Sequence, residues 1–139
     1  MRVRDHALAL LVVAAILAGA VGCSKDKEML ALAAEFDTFS NEIVKRVKSA
    51  PNPKAGVQAA QAYLDANKGR IREQLAALKT VKNFQLSEET RKKIESSFTN
   101  GATAVAGLQL EYVTQMATDA AFRSALEKLV QDYRDVVAN

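Results

Sequence analysis

The chain is short of the residues that carry most protein chemistry. Its 139 residues include one Cys, one His, no Trp, two Pro and six Gly, and only 6% are aromatic. Cys23 and His6 both fall in the first 23 positions, so everything that follows has neither thiol nor imidazole. Di-iron helical sites need Glu together with Glu-x-x-His, and haem needs an axial His, Met or Cys. Glu88, Glu89 and Glu95 read as a solvated first turn and face, while Met29 and Met116 sit on or beside helix seams, where Met ordinarily fills gaps. A Ser nucleophile would have to use Lys or a carboxylate as its base, and Ser96, Ser97 and Ser124 lie in helical stretches without a strained elbow. Gly101 to Gly107 matches no phosphate-binding pattern. The expectation is a non-catalytic chain without metal or cofactor. So few Pro and Gly exclude collagen-like and low-complexity classes, and 49% hydrophobic with 25% evenly mixed charged residues excludes a disordered segment. With no basic stripe interleaved with aromatics, no nucleic-acid partner is expected.

What is present begins with an address. Met1-Arg2-Val3-Arg4 is a short basic segment, and nothing charged lies between His6 and Ser24. The apolar or small run from Ala7 to Gly22 is shorter than the roughly 18 to 20 residues a helix needs to cross a bilayer, so a cleaved signal peptide fits better than a spanning helix. Its end, Ala20-Val21-Gly22-Cys23, resembles the lipobox of bacterial lipoprotein precursors, although Ala20 stands where that class favours Leu. The resemblance implies cleavage before Cys23 and acylation of Cys23 by palmitate-type chains, its only prosthetic chemistry. It also implies attachment to the cell envelope. Ser24 after the Cys, in place of Asp, implies sorting to the periplasmic face of the outer membrane. The other reading makes Cys23 a chance small residue after an ordinary cleavage site. Two or three acyl chains at about 0.8 kcal/mol per buried CH₂ hold a protein on a membrane durably. Removing residues 1–22 takes away Arg2, Arg4 and Asp5, so the net charge of +3 falls to about +2.

The remainder reads as helix nearly throughout. Met29, Leu32, Phe36, Phe39 and Ile43 alternate spacings of three and four, which predicts a helix from Asp26 to Ser49, stopped by Pro51-Asn52-Pro53. Val57, Leu64, Ile71 and Leu78 recur at sevens, predicting a second helix from Pro53 or Lys54 to about Val81 or Lys82, with Gly69 in its interior. Ser87, followed by Glu88 and Glu89, is a helix start, and Ile94, Phe98, Gly101, Val105, Leu108 and Tyr112 continue the seam. The same register runs on through Gln115 and Asp119 to Phe122, Leu126, Leu129, Tyr133 and Val136, so one unbroken helix is conceivable. Two successive polar seam positions, and Thr118-Asp119 as a cap, favour a break and a last helix from Asp119 to Val137. The expected architecture is all-α: an antiparallel up-down-up-down four-helix bundle over 26–139, after a cleaved signal peptide (1–22) and an acylated tether (23–25). Three residues reach at most about 11 Å, so the bundle would stand on the membrane with the connection from the second to the third helix at the proximal end.

Two further constellations each admit two readings. Phe84 and Leu86, beside Arg91, Lys92 and Lys93, either close the bundle end with the cations solvated, which we favour, or dip into lipid while the cations meet headgroups. Gly101, Ala104 and Gly107 either permit close helix packing or line a groove for an apolar ligand or a partner's helix. The functional expectation is an adaptor or assembly factor that binds an envelope protein partner. The alternative is a carrier or sensor that holds an apolar small molecule.

Overall fold

A computed structural model of the chain describes residues 23–82 and 85–138. The predicted signal segment and Phe84 lie outside the described residues, as does the side chain of Cys23. The described chain is all-helical: α1 Cys23–Ser49, α2 Pro53–Thr80, α3 Glu88–Glu111, the short α4 Val113–Thr118 and α5 Ala120–Ala138. No helix among the described residues is long and apolar enough to cross a membrane.

Local chemistry sets the boundaries. The Asn52 side chain accepts the Ala55 N–H at 2.8 Å, and Pro53 opens α2, where a missing N–H costs nothing. The Ser87 hydroxyl accepts the Thr90 N–H at 3.2 Å, with Glu88 and Glu89 favourably placed in the first turn of α3. Asp119 caps α5 by accepting the Phe122 N–H at 2.9 Å. Two findings adjust the expected boundaries. The first helix starts at Cys23 instead of Asp26, so the expected tether is helical backbone, and the segment before Asp119 is a separate six-residue helix.

Side-chain pairs give the direction of each helix. From α1 to α3, Asp26 meets Ser87, Phe36 meets Phe98 and Lys48 meets Glu111, so the two run parallel and nearly in register. From α1 to α2 the order reverses: Glu35 meets Arg70, Phe39 meets Tyr63 and Val47 meets Gly56. The order also reverses from α3 to α5, where Gly101 abuts Tyr133 and Tyr112 packs on Phe122. Long helices therefore alternate in direction along the chain. The main packing partners are α1 with α2 and α3, and α5 with α2 and α3. The parallel α1/α3 contact corrects the expected antiparallel order, in which α3 would lie beside α2: each seam states only that a face is covered, not by which helix.

The core follows the predicted seams. Phe36, Phe39, Ile43, Leu64, Ile71, Leu108, Phe122, Leu126 and Leu129 are all buried. Leu32, Leu78, Ile94 and Tyr112 are only half-buried. Gly56, absent from the sequence expectations, is the tightest contact: a Cβ there would fall on the Val47 carbonyl group, so only Gly lets α2 leave the Pro51 turn this close to α1.

Candidate functional site

The described part of the molecule offers three places where side chains converge or a surface stays uncovered. The first is a buried polar cluster joining α1, α3 and α5. The Ser40 hydroxyl donates to the Phe36 carbonyl at 3.0 Å, so the Tyr133 hydroxyl, 2.7 Å away, donates to Ser40. One turn along, the Ser97 hydroxyl donates to the Asp37 carboxylate at 3.0 Å. Ser40, Ser97 and Tyr133 are each at most 2% exposed, and burial pushes the Tyr133 phenol up to about 12. A phenol held neutral this firmly bonds rather than exchanges protons. Gly101 belongs to the same cluster: a Cβ there would lie 2.6 Å from Ser40 Oγ and 2.8 Å from the Tyr133 hydroxyl. The close-packing reading therefore describes Gly101. It does not extend to Gly107, where a Cβ would meet nothing within 4 Å, and Ala104 is half-buried.

A second feature is an open cleft of about 290 Å³ between α3 and α5. Its α3 wall is Ala102, Thr103, Val105 and Ala106, and Val130, Tyr133 and Arg134 form the α5 wall. The small-residue run does border a groove, but through the neighbours of Gly101, Ala104 and Gly107. A partly open apolar pocket between α1, α2 and α3, beside Met29, Phe36 and Ile71, holds only about 10 Å³, room for one water-sized sphere.

Third come the two ends. At the end where α1 begins, the Asp26 carboxylate accepts the Ser87 N–H at 3.0 Å, and that bond holds its pKa below the ordinary carboxylate value. Arg91 and Lys92 both pair with Glu88. Lys92 and Lys93 border an open depression that also contains Asp26 and the 39% exposed Leu30. Leu86 is half-buried in the preceding turn. At the opposite end, where Lys48 pairs with Glu111 at 2.6 Å, Leu110 is 80% and Val113 59% exposed. Sequence reasoning missed both, because neither falls on the Leu108, Tyr112 and Gln115 seam, and a single apolar residue off a seam carries no signal of its own.

Among the described residues no three His, Cys, Asp or Glu side chains come together to hold a metal ion. Sequence reasoning also missed the Ser40–Tyr133 and Asp37–Ser97 pairs. A usable signal was Tyr133 itself: a phenol on an apolar seam needs a buried hydrogen-bond partner. Comparison with protein-family models, with curated proteins and with solved structures gave no match to this chain.

Proposed function

We propose that this chain is a non-catalytic helical lipoprotein of a bacterial cell envelope, held to the membrane by acyl chains on Cys23, and that its helical domain binds another envelope protein. In this reading α1, α2, α3 and α5 make a four-helix bundle, with α1 beside the parallel α3, standing on the periplasmic face of the outer membrane. The basic segment, the apolar run and the Ala20-Val21-Gly22-Cys23 junction support the anchor. The observation that supports the adaptor role is the exposure of Leu110 and Val113, at the end of the domain farthest from the start of α1. Leu110 and Val113 lie three residues apart at a helix break, and a partner that covered both would gain their apolar burial.

Photo-crosslinking from position 110 or 113 in intact cells tests this role. The expected result is a discrete adduct with one envelope protein from either position, lost when the other of the two is changed to Asp. Adducts equally abundant from exposed positions on α2, such as Ala66, would contradict a dedicated surface. A second reading, an apolar small-molecule carrier, is supported by the α3/α5 cleft, whose size approaches the lower end of ligand pockets at about 300 Å³.

A further inference from the structure

We propose that the α3–α4–α5 hairpin is a hinge that also exists straightened, as one helix of about 50 residues, and that a second copy of this chain then receives α5 in place of the copy that donates it. The first support is the seam. Ile94, Phe98, Gly101, Val105, Leu108, Tyr112, Gln115, Asp119, Phe122, Leu126, Leu129, Tyr133 and Val136 alternate spacings of four and three without interruption, straight through the turn. A turn built as a permanent corner generally carries Gly or Pro. Here no Gly or Pro occurs after Gly107, and no described residue takes a positive φ. Only two residues leave the helical path: Tyr112 (φ −103°, ψ 19°) and Asp119 (φ −128°, ψ 99°). Returning both to helical angles makes 88–138 continuous, about 75 Å long at 1.5 Å per residue.

The second support is a symmetry in that seam. Gly101 abuts Tyr133 and Tyr112 packs on Phe122, and both pairs are centred on Ala117. Every other seam position from Phe98 to Val136 likewise has a seam position at the same distance on the far side of Ala117, Val105 with Leu129 and Leu108 with Leu126 among them. An antiparallel hairpin folded at Ala117 and two straight helices crossing antiparallel at Ala117 therefore make the same set of pairs. In the second arrangement the α5 contacts with Ser40, Gln61 and Gly101 are reused between copies. The two polar seam positions also gain a role. Gln115 of one copy comes opposite Asp119 of the other, twice across the dyad, and an amide can donate to a carboxylate. In the hairpin Asp119 is occupied instead with capping Phe122, so the cap and the cross-copy pair compete for one side chain.

The test is co-expression of two differently tagged full-length chains, detergent extraction and recovery through one tag. Wild type should bring down the other tag. Ala120→Pro should reduce recovery to the level of an unrelated tagged protein. Position 120 is the first residue of α5 and follows an extended Asp119, as proline prefers, whereas a continuous helix cannot accept it. Gln115→Leu with Asp119→Leu removes the cap from the hairpin and puts apolar contacts in place of the two amide–carboxylate pairs across the dyad, so recovery should rise about fivefold, the factor one helix cap carries. Circular dichroism of the Ala120→Pro chain should show unchanged helicity and melting. Equal recovery from wild type and Ala120→Pro, or no rise from the double Leu variant, overturns the proposal.

Discussion

At the scale of single residues, the chain places its few polar core groups where they fix how helices meet. Tyr133, Ser40 and Gly101 form one contact: the phenol reaches Ser40 only because Gly101 leaves the space free. A buried hydroxyl without a partner costs about 1–3 kcal/mol, which makes the arrangement hard to exchange for another register. The phenol also gives a pH signature. Burial raises its pKa from 10.0 to about 12, so the folded state holds the proton more tightly than the unfolded chain. Stability from this group is complete below pH 10 and is lost as the pH rises towards 12. Alkaline melting curves should show the loss in wild type, and Tyr133→Phe should flatten that part of the profile while lowering neutral-pH stability by about 1 kcal/mol. An identical alkaline profile in the Phe variant would contradict this assignment.

At the scale of elements, two glycines of α2 make opposite demands. Gly56 lies against the Val47 backbone, whereas Gly69 faces open space in the middle of the helix. Gly69→Ala should therefore stabilise by about 0.5–1 kcal/mol, through helix preference alone. Gly56→Ala should destabilise by about 1–3 kcal/mol, because the α1–α2 hairpin has to spread. Denaturant midpoints of the two variants should move in opposite directions. The sequence itself does not distinguish them, since each is a Gly in an Ala-rich helix. What could be read from it were the elements. The seams of Phe36 to Ile43 and Leu126 to Tyr133 point inward as the spacing requires, and Pro51, Asn52 and Ser87 end or start helices by their own hydrogen-bonding limits. What could not be read was which helices touch. The register of the parallel α1/α3 pairing is marked by Asp26–Ser87, Asp37–Ser97 and Lys48–Glu111 beside Phe36–Phe98, and the polar residues among them carry no seam signal. Which residues line the α3/α5 cleft could not be read for a related reason. A small-residue run says that something can come close, and Gly101 is approached closely while Gly107 is not.

At the scale of the whole molecule, the two ends differ in character. The end where α1 begins carries Cys23, the Asp26–Ser87 bond and a mixed set of charges around Glu88. The other end carries bare Leu110 and Val113 beside the Lys48–Glu111 pair. Under the proposed function the base is held by lipid and the apolar tip reaches for a partner, and the proposed straightening of α3 and α5 would give the same tip a second, shared form. The proposed anchor depends on one atom, the Cys23 sulfur. The most direct measurement is metabolic labelling with a palmitate analogue of a bacterium expressing the full chain, followed by recovery of the protein and its intact mass. The account predicts a labelled wild-type protein that begins at Cys23, remains with the membrane fraction and loses the label on Cys23→Ser. An unlabelled protein recovered without an acyl mass, and released with the soluble envelope contents, would contradict it.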